Sequence, residues 1–233
     1  MPYVMHFGTK NLQFNYHFDN NNIILSKCEK ILGVLINNKM SFEEHIYENV
    51  NKAHRMCNLI LRNVKNVNNS VLIKLYKCFV RPLLEYATVV TSPHHIYLID
   101  LIENVQRRFT KRLYGLHNLC YSDRLESCHL EMLELRRLHA DLIMVYKILN
   151  GAICVKLDNC LSLSNVRSTR GNVFKLNKYH VKLNIRKFFF GSRIINVWNY
   201  LPNEVVQCKT TNNFTRKLKY VNLLCFLKGH ACQ

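Results

Sequence analysis

Apolar residues recur with two different periods along the chain, and the change of period separates predicted strands from predicted helices. In the first forty residues apolar and polar positions alternate, most clearly over Leu12–Phe18, which predicts short β-strands near 3–7, 12–18, 23–25 and 32–36. From Ser41 onward apolar residues return every three or four positions, which predicts helices from 41 to 62, from 70, from 92 to 115, from 121 to 128 and from 131 to 149. After a stretch with possible short strands, helical spacing returns near 190–201 and 214–225.

This division predicts an α+β fold that is mostly α, in three parts. Residues 1–40 form short strands, residues 41–150 form a helical bundle, and residues 151–233 form a C-terminal region with short strands and two helices. Ser41 and Glu44 have the spacing of a capping box, and Pro82 is expected to kink the second helix.

Two ion pairs and one core residue are also predicted from spacing. Arg81 with Glu85, and Arg137 with Asp141, stand four residues apart and are expected to support their own helices as ion pairs. Trp198 falls on the apolar face of its helix and is expected in the core.

The charge balance says more about the partners of the chain than the hydrophobic content does. The 233 residues carry 33 Lys and Arg against 15 Asp and Glu, a formal net charge of +18, which favours a polyanionic partner. Nucleic acid is the first choice and an anionic membrane surface the second. Since the most apolar long stretch, Val71–Val90, contains four charged residues, no membrane-spanning segment is expected.

The ten cysteines are scattered and form no C-x-x-C pair, so reduced and mostly buried thiols of an intracellular protein are expected, with nucleus and cytoplasm equally open. Two groups of possible zinc ligands exist, but neither has two closely spaced doublets, and core thiols with surface histidines are the favoured interpretation. The groups are Cys225 with His230 and Cys232, and His117 with Cys120, Cys128 and His129.

The sequence lacks the paired carboxylates that nucleotidyl transfer requires. Nucleotidyl transfer needs carboxylates that hold two Mg²⁺ ions a few ångströms apart, and the sequence has no Asp-Asp pair. Its five aspartates are isolated, and the motifs of serine hydrolases, zinc proteases and P-loop enzymes are absent. We therefore expect no catalytic residue, no metal ligand and no cofactor in this chain.

The third predicted helix carries cations on one side. Leu98, Ile102 and Phe109 share a face, while Arg107, Arg108 and Lys111 cluster opposite it with Asn104. A solvated face, with its cations near the C-terminal end of the helix dipole, explains this pattern as well as phosphate contact does. The net charge favours phosphate contact.

Seven segments taken together resemble one family. In order they are VMHFG (Val4–Gly8), LGVLINNKMSFEEHI (Leu32–Ile46), LYKCFVRPLLEYATVV (Leu75–Val90), IENVQRRFTKRLYGL (Ile102–Leu116), YSDRLESCHLEMLELRRLHADLIMVYKILNG (Tyr121–Gly151), STRGNVFKL (Ser168–Leu176) and FFFGSRIINVWNYLPNEVV (Phe188–Val206). Their order and spacing are similar to the segment that follows the catalytic core in reverse transcriptases of jockey-like and related non-LTR retrotransposons. Ile31 departs from that pattern, in which an aspartate usually precedes Leu-Gly-Val.

The resemblance implies a fragment. It makes residues 1–40 the strands at the end of a palm, with VMHFG and LGV on strands, residues 41–150 a thumb that grips template–primer duplex, and residues 151–233 a C-terminal extension. The family's metal-binding aspartates lie upstream of VMHFG, so the Mg²⁺ implied for the parent polymerase has no ligands here. The expected nucleic-acid-binding residues are Lys52, Arg55, Arg62, Lys65, Arg107, Arg108, Lys111 and Arg112.

Three functional hypotheses stay open at this point. The first is a non-catalytic fragment of an RNA-directed DNA polymerase that binds an RNA or DNA template–primer duplex mainly through its phosphates, with no membrane partner and an undetermined oligomeric state. The second is a complete enzyme with an unrecognised site. The third is a stand-alone adopted module that binds nucleic acid or protein, with no polymerase role at present.

Overall fold

The computed structural model of the chain describes residues 3–8, 11–18, 21–64, 66–154, 161–164 and 172–229. These residues form an α+β fold that is mostly α-helical, as predicted. Among them no helix is both long enough and apolar enough to cross a membrane.

Among the described residues of the N-terminal region, the strands pair two by two and do not join into one sheet. β1 (Tyr3–Val4) pairs with β4 (Ile24–Leu25) in parallel, β2 (His17–Phe18) pairs with β3 (Asn21–Asn22), and β5 (Cys28–Ile31) pairs with β6 (Val34–Asn37). Only the last two residues of the predicted strand 12–18 form a strand, so most of that prediction was wrong.

The β5–β6 hairpin also corrects what the resemblance implied for Leu-Gly-Val. Leu32 and Gly33 both have positive φ angles, 48° and 81°, and make the two-residue turn between the strands. Such a turn requires left-handed backbone at both positions, and its twist matches that of the flanking strands. Only Val34 of this motif therefore lies on a strand. The Tyr86 hydroxyl donates to the Leu32 carbonyl oxygen at 2.6 Å and ties the turn to the helices.

In the described part of residues 41–150, seven helical segments and one π-helical turn form the bundle. Glu43–Asn63 (α1) is the longest, and its N-terminus is not the predicted capping box, because the Ser41 hydroxyl accepts from the Glu43 N–H and Glu44 contacts Asn37. The second predicted helix is interrupted before Pro82 by the π-helical turn, a local irregularity of the kind found near kinks. The remaining segments are Asn69–Leu75 (α2), the π turn Tyr76–Val80, Arg81–Glu85 (α3), Thr88–Thr91 (α4), Ile96–Lys111 (α5), Tyr121–Ser127 (α6) and Leu133–Leu149 (α7).

The C-terminal region contains more and shorter helices than the two predicted. They are Asn184–Lys187 (α8), Phe190–Arg193 (α9), Ile195–Tyr200 (α10), Asn203–Val206 (α11) and Thr211–Leu218 (α12), followed by the 3₁₀ turn Leu224–Phe226. The strands expected near Phe174 and Val181 are reduced, within the described ranges, to a bridge between Leu163 and Leu176.

Two hydrophobic clusters hold the fold together, and α7 contributes to both. The first is formed by α1, α2, the π turn, α3, α5, α6 and Leu133, with the rings of Tyr76 and Phe109 stacked at 4.7 Å. The second is formed by the later part of α7 and by α9–α12, and it includes Trp198, which is 1% exposed, as predicted. The Trp198 indole N–H donates to the Phe174 carbonyl oxygen at 2.8 Å, so its burial leaves no unpaired donor. The division of the chain at residues 40 and 150 stays a prediction.

The thiols are less buried than expected. Of the eight cysteines in the described ranges, all are free, and only Cys57 and Cys128 are buried. Cys208 is half-buried, and the other five are exposed, so the prediction of mostly buried thiols was wrong for this part of the chain. Burial raises the pKa of the Cys57 thiol to about 12, although Arg112 nearby opposes the shift.

Candidate nucleic-acid interface

α1 and α5 pack against each other in the first hydrophobic cluster, and a groove of about 500 Å³ runs between their solvent-facing edges. Apolar side chains at the contact, Cys57 and Phe109 among them, form the floor because they belong to the buried face of each helix. The walls are polar. They consist of His54 and Asn58 from α1, and Arg108, Lys111 and Arg112 from the end of α5. We call this feature the basic groove.

Two of the cations in the basic groove are free to meet a ligand. Arg108 and Lys111 are exposed, and neither has a hydrogen bond or ion pair among the described residues. Arg112 is also exposed, and one of its guanidinium nitrogens donates to the Asn58 side-chain oxygen at 3.0 Å. This bond joins the two walls and leaves the other N–H groups of Arg112 available. No acidic residue lines the groove in the described structure.

The pKa of His54 responds to the positive charges of the groove. Its pKa is lowered from the ordinary histidine value, first by partial burial and then by the charges of Arg108 and Arg112. The ring is therefore neutral at pH 7, and it would gain a proton more readily if an anion neutralised the two arginines. His54 and Asn58 were not among the predicted binding residues. Their spacing of one helical turn on α1 was a usable signal, but only the packing of α5 against that edge makes it meaningful.

Two predicted residues of α1 extend the basic surface beyond the groove. Arg55 and Arg62 are exposed, lie two turns apart on the outer side of α1, and have no partner among the described residues. With a rise of about 1.5 Å per residue their Cα atoms are about 10 Å apart along the axis, so both can follow one extended anion. Lys65, the remaining predicted residue at this end, lies outside the described residues.

The structure does not bring Lys52 and Arg107 to the groove, and nucleic-acid binding by these two residues stays a prediction. Lys52 forms an ion pair with Glu48, one turn earlier on α1. Arg107 lies 3.5 Å from the Asp100 carboxylate, and its guanidinium stacks 5.2 Å from the centre of the Tyr121 ring. Arg107 belongs to the cationic face predicted for the third helix and Lys52 does not, but each side chain already pairs with a neighbouring carboxylate.

The buried carboxylate of α5 is satisfied by hydrogen bonds from neighbouring protein groups. Glu103 is buried on α5, where it accepts the Leu133 backbone N–H at 3.0 Å and the Tyr121 hydroxyl. Burial raises the pKa of this carboxyl, while the hydrogen bond from Tyr121 acts in the opposite direction. Across the described ranges no three His, Cys, Asp or Glu side chains converge in a way that could hold a metal ion. His230 and Cys232 of the considered zinc group lie outside those ranges.

Comparison with known proteins gives a partial match to an uncharacterized protein and no family. An uncharacterized protein of Caenorhabditis elegans is 31% identical over 123 residues, which make up 52% of this chain. The matched part spans 62% of that relative, less than two thirds of its length. No family model matches the chain, and no solved structure matches it.

Proposed function

We propose that this chain is a non-catalytic part of a retrotransposon reverse transcriptase and that it binds template–primer duplex through the basic groove. The observation that carries the proposal is the arrangement of Arg108, Lys111 and Arg112 along a groove that no acidic residue of the described structure lines. Arg55 and Arg62 lengthen this surface along α1. The resemblance of the seven segments to such polymerases supplies the identity of the partner.

The groove suits phosphates better than bases. Its free groups are guanidinium and ammonium donors on helix surfaces, which bind phosphate oxygens of any sequence. A polymerase must hold a duplex whose sequence changes at every step, so contacts of this kind are the appropriate ones. RNA and DNA duplexes are both compatible with this mode of binding.

The exposed apolar residues of the N-terminal region support the idea of a larger parent protein. Leu12, Phe14, Phe18, Ile24 and Leu32 are each more than half exposed. So many large apolar side chains in water within one short region favour a surface that another domain or chain covers. The palm implied by the resemblance would cover this surface.

The proposed lack of catalysis is tested by primer extension. Purified protein is mixed with a primed template, deoxynucleotides and either Mg²⁺ or Mn²⁺, and no extended product is expected because the paired carboxylates that hold two metal ions are missing. A parallel reaction with an active reverse transcriptase controls the substrates. Metal-dependent extension by this chain would contradict the proposal.

The position of bound duplex is tested by lysine footprinting. Acetylation of the free protein and of its complex with a mixed-sequence duplex is compared by mass spectrometry. Lys111 is expected to react several-fold more slowly in the complex, because phosphates cover its ammonium group.

Lys52 is the internal control, since it is exposed and carries the same charge but faces Glu48. Its acetylation rate is expected to change little. Equal protection of Lys52 and Lys111 would show that the duplex has no preference for the groove.

A further inference from the structure

A second cavity, separate from the basic groove, surrounds a buried arginine of α7. It has a volume of about 180 Å³ and lies between α5, α7, α10 and the segment 226–228. Arg137 lines this cavity and a smaller one of about 20 Å³ beside it. Arg137 is 4% exposed, and neither of its two terminal nitrogens, Nη1 and Nη2, has a hydrogen-bond partner in the described structure.

The two acidic residues that line the cavity are already engaged. Asp141, the predicted helical partner of Arg137, is held instead by Arg193, with both N–O distances at 2.8 Å. Glu134 accepts the backbone N–H groups of Lys228 and Gly229 at 2.8 and 2.9 Å. The prediction of an Arg137–Asp141 pair was therefore wrong.

Two more carboxylates lie close enough to act on Arg137 electrostatically, and both are committed elsewhere. Glu85 binds Arg136, and Glu103 accepts from Tyr121 and from the backbone of Leu133. A guanidinium keeps its proton at all accessible pH values, so Arg137 cannot avoid the cost of burial by becoming neutral. A buried charge without hydrogen-bond acceptors calls for a partner that supplies them.

The charges around the cavity define the partner. Three lining residues are positive and two are negative, which leaves one positive charge: Arg137, Arg193 and Lys228 against Glu134 and Asp141. His94 adds no charge at pH 7, because burial lowers its pKa. This balance suits an anion with one charge and disfavours a phosphate dianion or a nucleic-acid backbone. A planar carboxylate can accept from Nη1 and Nη2 together.

Most of the remaining lining is apolar, so a ligand should also carry an apolar body, and Ser92, His94 and Asn196 are its uncharged polar members. Ile99, Leu138, Val197, Phe188 and Phe226 form walls that would cover a small hydrocarbon or aromatic body. We propose that this cavity binds a small monocarboxylate, with its carboxylate on Arg137 and its apolar body against these walls. The site is independent of the nucleic-acid-binding proposal, since it shares no lining residue with the basic groove.

The test is thermal unfolding of the full chain in sodium benzoate and in sodium chloride at equal ionic strength. At roughly 30 mM benzoate, ten times an assumed dissociation constant of about 3 mM, the midpoint is expected to rise by about 3 °C relative to chloride. Arg137→Met should abolish the rise. The same concentration of phosphate should produce less than benzoate does.

A second pair of variants keeps the test valid if Arg137→Met does not fold. Asn196 is exposed at the edge of the cavity, so Asn196→Tyr should block entry and remove the benzoate effect, while Asn196→Ala should retain it. Equal midpoints in benzoate and chloride, a rise that persists in Arg137→Met or Asn196→Tyr, or a larger rise in phosphate would each overturn the proposal. Equal midpoints would mean that the cavity holds water only.

Discussion

Replacing Arg108, Lys111 and Arg112 together with alanine is expected to weaken duplex binding by about 100-fold at about 0.1 M salt. Each of these cations is exposed in the basic groove, and each phosphate contact that it makes releases condensed counterions on binding. The loss of three contacts should also lower the slope of log K against log salt by about 2.7. Fluorescence anisotropy of a labelled duplex over a range of salt concentrations measures both quantities.

A charge-matched control separates the groove from net charge. Lys178, Lys182 and Lys209 are exposed cations of the C-terminal region, and their triple replacement with alanine removes the same three charges. This control should change affinity far less than the groove variant does. The single variant Arg107→Ala should also change affinity far less, because Arg107 already pairs with Asp100. If all of these variants lost affinity in proportion to their charge, diffuse electrostatics and not the groove would explain binding. Circular dichroism confirms that each variant is folded.

Arg193→Met is expected to destabilise the fold by about 3–5 kcal/mol. Arg193 makes two hydrogen bonds to the Asp141 carboxylate and a third, at 2.8 Å, to the Val89 carbonyl oxygen. The Asp141 side chain is only 4% exposed, and its burial raises its pKa against the opposing effect of Arg193. Without Arg193 a buried carboxylate would lose its partner, which costs more than the intact pair contributes. Urea unfolding measures the change.

Two variants make this result specific. The double variant Arg193→Met with Asp141→Leu should recover most of the lost stability, because the buried carboxylate that lost its partner is removed as well. Lys52→Met breaks an exposed ion pair with Glu48 and should cost less than about 1 kcal/mol. A loss in Arg193→Met no greater than that in Lys52→Met would show that the buried pair does not hold α7 and α9 together.

The helical part of the fold could be predicted from the sequence because its signals are local. The spacing of Ile46, Val50 and Cys57 marks the buried face of α1, and Gly151 ends α7 in the left-handed conformation that the Asn-Gly pair predicts. Trp198 was placed in the core for the same reason. Such features depend on residues within a few turns of one another.

Contacts between distant residues could not be predicted in this way. Asp141 is four residues after Arg137, yet it pairs with Arg193, 52 residues along the chain, because the second hydrophobic cluster brings α9 beside α7. The Leu32–Gly33 turn was taken as part of a strand, since an apolar run carries no sign of positive φ at Leu32. Local spacing supplies no information on either arrangement.

The basic groove depends both on local sequence signals and on contacts between distant residues. The cationic face of α5 was visible in the sequence, but its division between free and occupied side chains was not. Arg108 and Lys111 stay free, whereas Arg107 meets Asp100 and the ring of Tyr121. The contribution of α1 through His54 follows only from the packing of the two helices.

The salt dependence of duplex binding by the unmodified chain tests the central claim most directly. Five phosphate contacts, from the three groove cations with Arg55 and Arg62, predict a slope of log K against log salt of about −4.5, or about a 500-fold loss of affinity between roughly 50 and 200 mM salt. Two duplexes of unrelated sequence should give the same slope. A flat salt dependence, or binding that follows base sequence, would contradict the claim that this chain holds nucleic acid by its phosphates.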